Sequence, residues 1–197
     1  MAGIIVGAYG YQRSGKTLIA YEIADSYYQK GCEVYSNMTV RGWNKIDSLT
    51  EIPFNNQPKV LLLDEVYYFM DSRNWKNNTD ASIFFNTIGK QNILLLLTAI
   101  SPDMVEMRLR DQHNYMFLVK SDKHFIYYKL LDVVRKRERE FILPKTEELF
   151  NGIRYDTNQI PDLVDCSLKD FAKKVKLDIG TIQKDYERDN GIETIGY

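Results

Sequence analysis

Three stretches of the chain have a continuous apolar body: "IIVGA" at residues 4–8, "KVLLLDEV" at 59–66 and "NILLLLTAI" at 92–100. Runs of this length without alternation predict strands covered on both faces. Between the first two, from Lys16 to about Gln29, the spacing turns helical, with Leu18, Ile19, Ile23, Ala24 and Tyr27 on one side and Gly31 as the stop. "CEVYSN" at 32–37 predicts a further strand, followed by a linking stretch with Trp43, Asp47 and Pro53. Residues 79–90 predict a helix in which Ile83, Phe84 and Ile88 group together. "SPDMVEMRLRD" at 101–111 predicts a short helix, with Ser101 at the cap and Pro102 at its first position. "YMFLV" and "HFIYYKLL" predict two more strands joined by a turn at Ser121–Lys123, and the mixed-sign run "RKRERE" at 135–140 predicts a solvated strand or helix face. Strands alternating with helices predict an α/β fold, a mostly parallel sheet flanked by helices.

With 197 residues and 44% hydrophobic side chains, the chain is long enough for one sizeable core. The expected division is a core over 1–145 and a small, partly helical C-terminal extension over 146–197. In that extension "SLKDFAKKVKLDIGTIQKDYERDNGI" carries apolar positions Leu168, Phe171, Ala172, Val175, Leu177, Ile179 and Ile182, which predict two short helices joined at about Lys176–Gly180. Two readings stand side by side for residues 167–188. One is a helix-turn-helix whose Lys169, Lys173, Lys174, Lys176 and Lys184 meet phosphates. The other is a pair of helices packed on the core or on a neighbouring subunit.

Charge narrows the partners. The 26 Lys and Arg against 27 Asp and Glu leave a formal charge of −1, so contact with nucleic acid requires a local patch or a multimeric ring. Cys32 and Cys166 lie far apart with no Cys or His at ligand spacing, which excludes a disulfide framework or a structural zinc site and fits a reducing cytosol. His113 and His124 read as ordinary strand or loop histidines. "ILLLLTAI" at 93–100 is far shorter than the roughly 20 residues of a spanning helix, and the N-terminal residues lack a basic leader. The expectation is a protein without a transmembrane segment that stays inside a cell.

The chemistry starts at residues 10–17. Gly10, Tyr11, Gln12, Arg13, Ser14, Gly15, Lys16 and Thr17 match the pattern G-x-x-x-x-G-K-[ST], with a strand before it and an amphipathic helix after it. Glycines let backbone N–H groups turn inward around a phosphate, and the helix N-terminus adds a favourable dipole. Lys16 is expected to reach β- and γ-oxygens, and Thr17 to ligate Mg²⁺. Asp64, at the end of "VLLL", is placed to hold Mg²⁺ through water, and Glu65 to polarise an attacking water, which suits hydrolysis. Thr98 ends the next apolar strand, as a γ-phosphate sensor or simply as a strand former. Arg73, Arg108 and Arg110 are candidates for a guanidinium that neutralises γ-phosphate charge in a neighbouring subunit. The expected cofactors are ATP and Mg²⁺.

Taken in order, the phosphate loop, "SNMTV", "LLLDEVYYFMDSR", "LLLLTAISP" and "RLRDQHNYMF" resemble viral and phage ATPases of the FtsK–HerA superfamily, with "RYDTNQIPD" at 154–162 as a further echo. That group includes genome-packaging ATPases of membrane-containing icosahedral viruses and zonula-occludens-toxin-like assembly proteins of filamentous phages. The resemblance covers roughly residues 3–120. It implies a RecA/FtsK-like phosphate-loop NTPase with Lys16 and Thr17 on nucleotide and Mg²⁺, Asp64 on Mg²⁺ and Glu65 on water. Where many relatives carry glutamine after the fourth strand, this chain has Thr98, Ala99 and Ile100. The resemblance also implies a homo-oligomeric ring acting on double-stranded DNA, a hexamer in such motors, with a monomer as the alternative resting state. Viral capsid or membrane vertex proteins would be its partners and the infected host's cytoplasm, or the virion, its location. The filamentous-phage relatives usually add a membrane span, so its absence favours the packaging motor. Three alternatives are an assembly ATPase of the zonula-occludens-toxin type, a nucleotide-gated DNA-binding protein with negligible turnover, and a small-molecule kinase, for which no acceptor site is recognisable.

Overall fold

In the computed structural model, residues 3–68, 84–105 and 107–166 are described. Eight strands form one sheet: β1 (Ile4–Tyr9), β2 (Glu33–Ser36), β3 (Asn44–Lys45), β4 (Lys59–Leu63), β5 (Ile93–Ala99), β6 (Tyr115–Ser121), β7 (Phe125–Asp132) and β8 (Arg137–Pro144). Their spatial order is β3-β2-β4-β5-β1-β6-β7-β8. The first six run parallel, β7 pairs antiparallel with β6 and β8 antiparallel with β7, so the mostly parallel sheet is as expected. The apolar runs take the centre for the reason their composition predicts: every residue of β4 and β5 is buried.

Helix α1 (Lys16–Tyr28) covers one face through Leu18, Ala20, Tyr21 and Ala24. The opposite face is filled by Leu49, Ile52 and Phe54 from the linking stretch and by Phe84, Phe85 and Ile88 around a helical turn at 84–87. Residues 69–83, including much of the predicted helix over 79–90, lie outside the described residues, as do the predicted helices at 167–188.

Three local readings are refined. The single helix expected over 101–111 is two pieces, a 3-10 turn at Pro102–Met104 and helix α2 (Met107–Arg110). Val105 separates them in extended conformation because its side chain is fully buried among the core residues of the second face. The turn expected at Ser121–Lys123 is shifted: β6 runs through Ser121, and the Asp122 carboxylate accepts the backbone N–H groups of His124 and Phe125 to make the reversal. The run "RKRERE" enters β8 as the outermost strand of the sheet, with residues Arg137 to Glu140 exposed.

The chain after Pro144 returns to the core. Thr146 caps helix α3 (Glu147–Asn151) by accepting the Leu149 N–H, and Leu149 and Ile153 pack with the cluster under α1. Arg154 lies 4.6 Å over the Tyr28 ring and pairs with Asp25. Isolated bridges then join Tyr155 to Val40 and Asp165 to Ser48, so residues 154–165 run as a strap along the carboxyl side of β2.

Candidate nucleotide site

Register brings the motif residues to one level. Ala8 pairs with Thr98 across β1 and β5, and Leu63 pairs with Leu97 across β4 and β5. Asp64 therefore leaves β4 beside Thr98, while the loop at 10–15 leaves β1 on the other side of it. Gly10 is required by crowding, since a Cβ there would lie 2.2 Å from the Val119 carbonyl oxygen. Gly15, with φ 102°, is the N-cap of α1, and a Cβ on it would press on Ile126 at 2.9 Å.

The Thr17 hydroxyl donates to Asp64 Oδ1 at 2.9 Å, and the Thr98 hydroxyl donates to the same oxygen at 2.7 Å. Thr98 Oγ1 also accepts the Glu65 N–H at 2.9 Å. Glu65 holds a left-handed backbone, φ 51°, which costs a non-glycine residue on the order of 1 kcal/mol and is held in place by that hydrogen bond. Its Oε2 accepts from the Tyr67 hydroxyl at 3.1 Å. Burial pushes the Asp64 carboxyl above the usual carboxylate range, and the two threonine hydrogen bonds oppose it. Lys16 is only 4% exposed; burial lowers its ammonium from the usual lysine value, and Asp64 and Glu65 pull it back up. Its Nζ donates to the Tyr11 carbonyl at 3.0 Å.

These groups open on a cleft of about 570 Å³. It is lined by Gln12, Arg13, Gly15, Lys16 and Thr17 of the loop and the start of α1, by Asp64 and Glu65 after β4, and by residues 155–161 of the strap. Tyr11 projects at 81% exposure from the loop, and Ser14 is buried with its hydroxyl lacking a hydrogen-bond partner. Thr98 is fully buried beneath the cleft, its hydroxyl engaged with Asp64 and Glu65. Arg108 and Arg110 lie on α2 and line no part of their own chain's cleft, and Arg110 pairs with Asp103 at 2.8 Å. Arg73 lies outside the described residues. His113 is buried structure: Nδ1 faces the Leu109 and Arg110 carbonyls, so Nε2 accepts from the Tyr9 hydroxyl at 2.7 Å.

The donor set fits Mg²⁺. That ion takes oxygen ligands and keeps several waters, so one or two protein oxygens suffice when phosphates supply others. Thr17 Oγ1 and Asp64 Oδ1 provide such a pair, and among the described residues no group of three His, Cys, Asp or Glu forms a self-sufficient cage. The buried, unpartnered Ser14 hydroxyl in the loop is likewise suited to a phosphate oxygen.

Sequence reasoning missed Asn37. Its Oδ1 accepts the Asp64 N–H at 2.8 Å, and its Nδ2 donates to the Asp64 carbonyl and to the Asp162 carbonyl, each at 3.0 Å. One side chain thus clamps the peptide groups flanking Asp64 and ties them to the strap. The position after a buried strand was visible in "SNMTV", but its partner lies 125 residues away. Replacing Asn37 by alanine orphans buried groups at each contact, and roughly 2–3 kcal/mol of stability is expected to go. Urea unfolding should show this as a lower midpoint with an unchanged slope; an unmoved midpoint would exclude the clamp.

Residues 6–120, more than half of the chain, match the family described as "ATPase family associated with various cellular activities (AAA)". The chain belongs to this family. Among solved structures this AAA ATPase resembles the N-terminal domain of zonular occludens toxin from Neisseria meningitidis, at 13% identity and TM-score 0.60 over 79% of this chain and 100% of that one. It also resembles the genome packaging NTPase B204 from Sulfolobus turreted icosahedral virus 2 in complex with AMPPCP, at 12% identity and TM-score 0.56 over 74% and 99%. A third is the flagellar accessory protein FlaH from Methanocaldococcus jannaschii, at 11% identity and TM-score 0.53 over 79% and 90%. No curated protein matches the chain. The AAA ATPase therefore shares its fold with the viral packaging and toxin-like proteins to which its motifs point.

Proposed function

We propose that this chain is a Mg²⁺-dependent ATP-hydrolysing motor that moves viral double-stranded DNA into a preformed capsid. The observation that carries the reading is the convergence of Lys16, Thr17, Asp64 and Glu65 at one end of the cleft, a metal-binding pair with a second carboxylate beside it. Lys16 and the loop amides hold the β- and γ-phosphates, Thr17 and Asp64 hold Mg²⁺, and Glu65 orients water. The ion supplies charge neutralisation at the phosphates. Thr98 acts through Asp64 and Glu65 by fixing the turn that joins them.

The DNA reading draws support from the packaging NTPase that shares the fold. A ring of copies, a hexamer by the superfamily resemblance, would gather a few basic side chains per subunit into a channel field that a chain of net charge −1 lacks alone. It would also bring Arg73, Arg108 or Arg110 of one copy to the cleft of the next. Capsid or membrane vertex proteins would be its other partners, and the infected host's cytoplasm or the virion its location. A filamentous-virus assembly ATPase is the second reading, favoured by the fuller coverage of the zonular occludens toxin domain.

Steady-state turnover with and without double-stranded DNA tests the proposal. The expected result is multiple turnovers that rise several-fold with DNA and vanish when EDTA removes the metal. Nucleotide-dependent DNA binding without turnover would replace the motor by a switch.

A further inference from the structure

The phosphate end of the cleft is fixed by Lys16, Thr17, Asp64 and Glu65, so the rest of a nucleotide must leave past the start of α1. On that side the cleft is lined by Leu18, Ile126, Lys145, Phe150 and Tyr155. Lys145 has its ammonium engaged on the Asp122 carbonyl at 2.7 Å, which closes the β6–β7 turn. Tyr155 is held against Tyr21 with ring centroids 5.0 Å apart. Phe150 differs from both.

Leu149 on α3 and Ile153, just past its end, both pack on the cluster under α1. Phe150 is turned roughly 100° from Leu149 around the helix axis, so the packing that anchors α3 sends its ring away from the core. The ring is absent from both core clusters, is 44% exposed and lines the cleft. The Thr146 cap and the bond from Lys145 N–H to the His124 carbonyl, 2.8 Å, fix the helix to the β7–β8 hairpin. Ile126, on that hairpin, also meets Gly15 at the foot of α1. Phosphate loop and aromatic ring are therefore held in one frame. A rigid apolar ring facing a polar cleft beyond the phosphate cradle suits the flat face of a nucleobase.

We infer that Phe150 is the base platform of the nucleotide site, stacking on the nucleobase of a bound nucleoside triphosphate, with Ile126 as the apolar floor beside it. The inference rests on the nucleotide reading of the cleft. A stacking ring reads a base by its face, so it holds adenine and guanine alike.

Calorimetric titration of the full chain with Mg²⁺ and ATP, GTP or inorganic tripolyphosphate tests it. Stacking of this kind is worth roughly 5- to 100-fold in affinity. Phe150→Ala should weaken ATP and GTP by a common factor in that range and leave tripolyphosphate unchanged, while Phe150→Trp should restore nucleotide affinity. Equal losses for ATP and tripolyphosphate, or no loss for either, would overturn the platform while leaving the nucleotide site standing. A wild-type chain that binds neither would overturn the nucleotide reading itself and the platform with it.

Discussion

Lys16→Ala is expected to abolish ATP binding, with affinity falling by about 100-fold or more, because charge-assisted contacts to two phosphates disappear together. Thermal unfolding reads the loss through ligand linkage. The wild type should rise in midpoint with Mg²⁺ and ATP, and the variant should fail to rise from its own nucleotide-free midpoint. A variant that still gained stability from ATP would show that the loop at 10–17 does not hold its phosphates through Lys16.

Glu65→Gln separates binding from chemistry. The amide is nearly the same size and can still accept from the Tyr67 hydroxyl, and the Glu65 N–H keeps its bond to Thr98. What it loses is the basic oxygen proposed to draw a proton from water. Turnover should therefore drop by about 10²-fold or more while the affinity for ATP stays within a few-fold of the wild type. Single-turnover hydrolysis measured beside equilibrium binding distinguishes the two effects. Normal turnover in this variant would move water activation to another group.

The parts of this site that could be read from sequence are those built from near neighbours. The loop from Gly10 to Thr17 is one contiguous segment, and Asp64 and Glu65 follow an apolar run whose only sterically reasonable place is the middle of a sheet. Strand order decides the rest. β5 lies between β1 and β4, so Thr98 supports Asp64 from below, and its pattern alone suits a sensor or a plain strand former equally well. Asn37 and the strap were hidden for a different reason. Residues 154–165 have neither helical nor alternating apolar spacing, and they join the core through the isolated side chains of Tyr155 and Val164, backbone groups and single polar side chains at separations above 100 residues. Phe150 was silent too, because an aromatic in a five-residue helix has the same spacing whether it faces the core or a cleft.

The outermost strand has a consequence for how copies of this chain can meet. β8 begins with four alternating charges, Arg137, Glu138, Arg139 and Glu140, continues with Phe141, Ile142 and Leu143, and stops at Pro144. The three apolar residues are strongly strand-forming and part of that stretch is exposed, the composition that seeds uncontrolled edge-to-edge growth. Charges on one side and a proline on the other act as gatekeepers, making an added strand both hard to register and impossible to extend. At the far edge β3 is only two residues long and offers little template. Among the described residues, neither edge of the sheet offers a long uncharged template, so crowding many copies at one place favours contacts made by side chains over fusion of their sheets.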